Sequence, residues 1–346
     1  MDVDFHVNSN QADAVGVLLE QNSVEYKVLF DNLQDGINAQ LDGQKSKRHS
    51  YTKYNTWEKI AEWTREMAKK YPNLVKRLDI GGTTEGRPMY VLQIGKSGTS
   101  RRAVFMDCGI HAREWISPAF CQWFLIEGEE EITELLNSLT FYILPVLNID
   151  GYVWSWTEDR MWRKNRAPTV DEECIGTDLN RNFNISWCEI GSSDEPCSEI
   201  FCGSAAESEK ETQNVANFIR SHMDSIKAYI TIHSYSQMLL YPFSYTYDPA
   251  PNSKELDEIA KEAVHKLHSL YGTSYVYGPS AFTIYPTSGS SDDWAYAKGI
   301  NYSFTFELRD KGKKGFLLPE SKIKPTCQET TLAVASIAQY VISQYS

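Results

Sequence analysis

The stretch Asp107-Cys-Gly-Ile-His111-Ala-Arg113-Glu114-Trp115 follows an apolar run, Ala103 to Met106, and precedes a long apolar helical pattern. The run reads as a buried strand, so the stretch falls at a strand end, where sheets flanked by helices keep their sites. A His and a Glu three residues apart can turn toward one metal ion. The pair alone is a weak signal, and a working site needs a third ligand, a proton acceptor and substrate anchors elsewhere in the chain.

Working outward, the pattern alternates strands with helices. A helix from about 56 to 70 carries Trp57, Ile60, Ala61 and Met67 on one face, and Pro72 follows it. Strands are expected near 75–80, 89–95, 103–107, 141–147, 228–232 and 302–306. Helices are expected near 117–137, 254–270 and 328–343. Several strands are continuous apolar runs, which suits strands covered on both faces. The predicted fold class is α/β: a mixed, mostly parallel twisted sheet sandwiched by helices. His111, His233 and Glu307 all lie just past predicted strand ends.

Residues 1–48 read differently. Strands at 3–7 and 24–30 would flank a helix at about 11–20, and a second helix near 31–42 leads to Gln44-Lys-Ser-Lys-Arg48. Two strands and a helix are too few to hold a core alone. The segment is expected to be part of an α+β activation propeptide, with a basic linker that a trypsin-like protease would cut near Arg48. The domain division is therefore 1–48 and 49–346.

The net charge is −12, of which −4 falls in residues 1–48 and −8 in the rest. Nucleic acid is a poor partner for such a chain, and cationic ligands are favoured. No apolar run approaches the roughly 18 residues of a membrane span. Of seven Cys, four crowd into residues 174–202, a loop-like segment that reads as disulfide-stapled and so as extracellular. Met1-Asp-Val-Asp-Phe is acidic and lacks an apolar signal core. The expectation is a secreted protein whose true N-terminus lies upstream of this chain.

Of seven His, residues 6, 49, 222, 265 and 268 fit surface roles, while His111 and His233 follow apolar strands. Two neighbouring ligands and a distant one, His111, Glu114 and His233, make a His₂Glu set, which suits zinc and leaves one position open for chemistry.

Six motifs now resemble, in order, those of the pancreatic-type A/B zinc metallocarboxypeptidases. They are His111-Ala-Arg113-Glu114-Trp115, Arg160-Met-Trp-Arg163-Lys-Asn-Arg166 and Cys174-Ile-Gly-Thr-Asp178-Leu-Asn180-Arg181-Asn-Phe. Then come Ile232-His233-Ser-Tyr235-Ser, Ile284-Tyr285-Pro-Thr-Ser-Gly-Ser-Ser-Asp292-Asp293-Trp294 and Phe306-Glu307-Leu-Arg-Asp. The resemblance runs from about residue 50 to the C-terminus. It implies one Zn²⁺ held by His111, Glu114 and His233, with Glu307 as general base and acid and Arg163 facing the oxyanion. It further implies that Asn180, Arg181 and Tyr285 clamp the substrate's terminal carboxylate, with Arg113 as an outer contact and Tyr235 in the same substrate-binding set. Asp178 would orient His111. A planar Arg fork matches a carboxylate, which explains exopeptidase action.

In this family the residue at Asp292 forms the base of the pocket for the C-terminal side chain. An apolar residue marks the A type and Asp marks the B type, specific for Lys and Arg. The B type is therefore expected, with Ser244, Ser280 and Thr287 as further walls. Ser290 stands where the B type usually has Gly. That loop and two neighbouring stretches resemble the mast-cell branch, which prefers apolar C-termini and packs with heparin, but the net −8 argues against heparin packing. By resemblance the disulfides are Cys108–Cys121, Cys174–Cys197 and Cys188–Cys202, with Cys327 free and buried. Spacing alone leaves the two loop pairs unassigned. Residues 1–48 match only the later part of the family's propeptide. A monomer acting on peptide or protein C-termini is expected. The alternatives are an A-type enzyme and, from another class, a silent binder of C-termini; a structural zinc protein ranks below both, because structural zinc sites usually fill all four positions with protein ligands.

Overall fold

The computed structural model describes residues 5, 7–42, 48–95, 102–127 and 131–345. Eight strands form one mixed sheet: β1 (Val75–Gly82), β2 (Pro88–Ile94), β3 (Arg102–Cys108), β4 (Leu139–Leu144), β5 (Ile226–Ser234), β6 (Met238–Tyr241), β7 (Val276–Pro279) and β8 (Tyr302–Leu308). Their order across the sheet is β1-β2-β4-β3-β5-β8-β6-β7. The central run β4-β3-β5-β8 is parallel throughout, and β6 pairs parallel with β7. The β1–β2, β2–β4 and β6–β8 pairs are antiparallel.

The central strands are apolar because both of their faces are covered. Every residue of β4 and all but the first of β3 are buried. Helices Ile116–Glu127 and Ile323–Gln344 pack against each other and on the strands of this central run. From β3 the chain passes to β4 on one side, while β5 and β8 lie on the other. Such a reversal opens a crevice at the carboxyl ends of the strands. His111 lies just past β3, and His233 and Glu307 occupy the ends of β5 and β8.

Three expectations change. The helix expected near 117–137 is two helices, Ile116–Glu127 and Glu131–Ser138. Residues 24–30 form no strand: the described residues offer no partner, and Val24, Tyr26, Val28 and Leu29 remain exposed. His49 is not a surface side chain. It stacks on Trp63 with ring centroids 5.4 Å apart and meets Gln122 Oε1 at 2.7 Å, and burial pulls its pKa down to about 4. Most of the 3–7 strand and of the basic cluster before Arg48 lies outside the described residues.

The front segment touches the remainder through helix Leu33–Asp42 and through Phe30, whose ring centroid lies 5.3 Å from Lys314 Nζ. Gly36, having no side chain, lets that helix sit on Leu317, whose Cδ1 would be 2.9 Å from an added Cβ. Gln40 is buried; its Oε1 accepts from Arg160 Nε at 2.7 Å and its Nε2 donates to Leu318 O at 3.3 Å. Arg160 also donates to Arg113 O and Phe316 O, and its guanidinium lies 3.7 Å from the Trp115 ring centroid.

Three disulfides are present, Cys108–Cys121, Cys174–Cys197 and Cys188–Cys202, and Cys327 is free and buried. The latter two brace a segment that has few strands or helices of its own. Closing a loop of 14 residues, as Cys188–Cys202 does, stabilises by about 3 kcal/mol in the chain-entropy model. The double variant Cys188→Ser/Cys202→Ser is expected to lose about that much in urea unfolding. An unchanged midpoint would show that the loop is held by its other contacts.

Candidate active site

The site is assembled from the ends of β3, β5 and β8 and from loops that face them. Ligand atoms of His111, Glu114 and His233 lie within 4.8 Å of one another, and all three residues are buried. His111 Nδ1 is 2.8 Å from Glu114 Oε1 and 3.2 Å from His233 Nδ1, which is itself 3.1 Å from Glu114 Oε2. Two facing imidazole nitrogens and a carboxylate need a cation between them. Their 3.2 Å gap is close to the roughly 3.3 Å kept by two nitrogens of one tetrahedral zinc. The outer nitrogens are engaged as well: His111 Nε2 meets Asp178 Oδ1 at 3.1 Å, and His233 Nε2 meets Thr231 Oγ1 at 3.1 Å. The donor set therefore fits zinc, with both rings oriented from behind.

Asp178 is shared. Its Oδ2 accepts from Arg163 Nε and Nη2 at 2.9 and 2.7 Å, and Arg181 Nη1 stands 3.9 Å away. Burial works against the charge of Asp178, but Arg163, Arg181 and His111 together hold its pKa well below the usual range. Burial opposes the charge of Arg163 too, and Asp178, then Tyr285, keep its pKa above normal. Asp178 thus aligns His111 and fixes the plane of Arg163.

Asn180 and Arg181 follow on a short 3₁₀ turn that Asp178 caps by accepting from Asn180 N at 2.9 Å. Asn180 Oδ1 accepts from Ser291 N at 2.9 Å, and Arg181 Nε donates to Gly191 O at 2.8 Å. Gly289 makes this contact possible. It has φ +70°, and an added Cβ would lie 2.2 Å from Arg181 O, so no other residue lets the loop come so close.

Asp292 is buried in helix Ser291–Ala297, next to Ser290 at the N-cap. Its Oδ2 accepts from Thr305 Oγ1 at 3.0 Å, and Thr305 shares a face of β8 with Glu307. Ser244, Ser280 and Thr287 are buried as well, and the backbone N–H groups of Ser244 and Tyr245 donate to Asp293 Oδ2. Glu307 is paired in register with His233 and is only partly exposed. Burial pushes its pKa up to about 8, against the pull of His233 and Arg163.

The remaining predicted residues are farther out. Arg113 Nη1 donates to Met161 O and meets Glu199, its guanidinium lies 4.5 Å from the Phe316 ring centroid, and its Nε is buried with no partner among the described residues. Tyr235 packs edge-on against Phe316. Tyr285 is 39% exposed.

Three residues with evident structural duties have no place in the sequence reading. Asn148 caps helix Ile149–Thr157 by accepting from Gly151 N, and its Nδ2 lies 3.0–3.2 Å from the carbonyls of Ile110, Arg163 and Lys164. It thereby ties the His111 loop to the Arg163 loop. Thr231 and Asp107 stand behind His233. A polar residue alternating with β5 isoleucines, Ile230-Thr231-Ile232-His233, was the available signal for Thr231.

A buried His₂Glu set, a carboxylate-held Arg and a partly buried Glu at a strand end suit a hydrolytic metal centre, and comparison with known proteins gives the class. The chain belongs to the zinc carboxypeptidase family, whose pattern it matches over residues 60–333; residues 1–40 match the carboxypeptidase activation peptide. It is therefore a zinc-dependent carboxypeptidase made as a zymogen. Among its relatives, carboxypeptidase B of Bos taurus is 57% identical, over 98% of this chain and 83% of that one. Mast cell carboxypeptidase A of Rattus norvegicus is 55% identical, over 100% and 86%. The crystal structure of thrombin activatable fibrinolysis inhibitor superposes with a TM-score of 0.93 at 44% identity, covering 97% of this chain and 87% of that one. No helix among the described residues is long and apolar enough to cross a membrane.

Proposed function

We propose that the chain is a secreted, monomeric carboxypeptidase of the B type, which removes C-terminal Lys and Arg and carries one zinc held by His111, Glu114 and His233. The observation that carries the specificity is Asp292, a buried carboxylate hydrogen-bonded to Thr305 on the strand that carries Glu307. A carboxylate in such a place favours a cationic side chain arriving at the same cleft.

Zinc bound there supplies a Lewis acid that acidifies water and polarises a carbonyl. Asn180, Arg181 and Tyr285 hold the terminal carboxylate, and Arg113 contacts the peptide farther out. Glu307 takes the proton of the attacking water as its oxygen bonds to the scissile carbonyl carbon. It then delivers that proton to the leaving amine as the C–N bond breaks. Arg163, aligned by Asp178, donates to the oxyanion. Tyr235 lines the peptide path beside Phe316.

Residues 1–48 are the activation segment and 49–346 the catalytic domain, with cleavage near the exposed Arg48 by a trypsin-like protease. The three disulfides support secretion, since they persist in oxidising compartments.

The test follows release of the last amino acid from peptides ending in Arg, Lys, Phe and Leu, before and after brief trypsin treatment. Release of Arg and Lys that rises after trypsin and stops with a zinc chelator is the expected result. The A-type alternative keeps a specific basis in the 55% identity to mast cell carboxypeptidase A. A preference for Phe and Leu would establish it and remove Asp292 from the pocket.

A further inference from the structure

One side-chain step below the row formed by His233 and Glu307 runs a second polar row. Asp107 on β3 is in register with Thr231 on β5, and Thr231 with Thr305 on β8. In parallel strands, residues in register share a face, so this row lies directly beneath the metal ligand and the base. Asp107 and Thr231 are both buried.

The hydrogen bonds there have a fixed direction. Tyr229 donates its hydroxyl proton to Asp107 Oδ2 at 2.5 Å, and Thr231 Oγ1 donates to Asp107 Oδ1 at 2.8 Å. A carboxylate can only accept, and a hydroxyl has a single proton to give. Once that proton is turned toward Asp107, the Thr231 oxygen can only accept from its other neighbour, His233 Nε2 at 3.1 Å. His233 must then carry its proton on Nε2. Its lone pair is left on Nδ1, the atom 3.2 Å from His111 Nδ1 and 3.1 Å from Glu114 Oε2.

We propose that Asp107, acting through the Thr231 hydroxyl, is a positioning group that locks His233 in the Nε2–H tautomer and presents its Nδ1 lone pair to zinc. The two histidines of the centre are thus oriented by different means. Asp178 meets His111 directly at 3.1 Å, whereas Asp107 reaches His233 through an intervening hydroxyl. The relay also fixes the ring from below, through β3, a strand that carries neither His233 nor Glu307. The inference rests on the zinc ligand set proposed above.

The test uses the full chain and reads zinc affinity by competition with a chromogenic chelator, alongside the visible spectrum of the cobalt-substituted protein. Thr231→Val keeps the shape of the side chain and removes the acceptor. Thr231→Ser keeps the hydroxyl. Asp107→Asn replaces an acceptor oxygen with a donor and so permits the hydroxyl to turn around. Thr231→Val and Asp107→Asn are expected to weaken zinc binding by roughly 10- to 100-fold and to alter the cobalt bands. Thr231→Ser should stay within about threefold of the parent protein, a rescue that loss of packing alone would not give. Equal zinc affinity in Thr231→Val and the parent would overturn the relay, as would a Thr231→Ser protein as weak as Thr231→Val. Should Asp107→Asn fail to fold, the Val and Ser variants decide the matter between them. A parent protein that binds no zinc would instead overturn the ligand set itself, and the relay with it.

Discussion

Glu307→Gln is expected to lower kcat/KM for a peptide ending in Arg by roughly 10²- to 10⁴-fold, with zinc affinity unchanged. The side chain is paired in register with the metal ligand His233, and burial pushes its pKa up to about 8. Burial thus raises its proton affinity above that of an ordinary carboxylate, which suits a group that must hold the proton of water before passing it on. Gln has nearly the same shape and can do neither. Because Glu307 stands outside the His₂Glu cluster, the variant should retain full zinc and still bind a C-terminal peptide. Activity within tenfold of the parent enzyme would show that another group moves the proton.

Asp292→Leu should invert the side-chain preference. Removing one partner of a buried, hydrogen-bonded charge pair costs about 2–5 kcal/mol. On kcat/KM for C-terminal Arg that is roughly 30- to 4,000-fold. A peptide ending in Leu should improve, since its side chain then meets an aliphatic base instead of a buried carboxylate. Asp293 follows Asp292 directly and is held by the backbone N–H groups of Ser244 and Tyr245, so it belongs to the loop architecture rather than to the cavity floor. Steady-state rates on paired Arg and Leu peptides measure the change. An unaltered ratio would mean that the cation of the substrate never meets Asp292.

Much of the site was legible because it rests on local signals. The spacing of His111 and Glu114 and the apolar strands that run into His233 and Glu307 can be read along the chain, whereas Asp178, Asn180 and Arg181 came only from the family resemblance. The mixed, mostly parallel sheet followed from apolar runs separated by helical patterns, and the short strands Met238–Tyr241 and Val276–Pro279 escaped because four residues show no periodicity. What could not be read depends on register. Asp107 lies 124 positions from Thr231, and nothing along the chain says that β3 and β5 align them. Asn148 is similar, since its three carbonyl neighbours come from two loops. Residues 24–30 failed in the opposite direction. Val24, Tyr26 and Val28 have a strand-like alternation, but alternation is only an offer to pair, and the described residues contain no taker.

Gln40 gives the boundary between the two parts of the chain an unusual character. Its amide completes the hydrogen-bond shell of Arg160, whose other donors hold the carbonyls of Arg113 and Phe316. At this point the seam is dry: a buried side chain of the front segment supplies one wall of the Arg160 site. Cutting the chain frees an end but leaves that wall standing. Were residues 1–48 to leave, water would have to take the place of Gln40 at the Arg160 guanidinium.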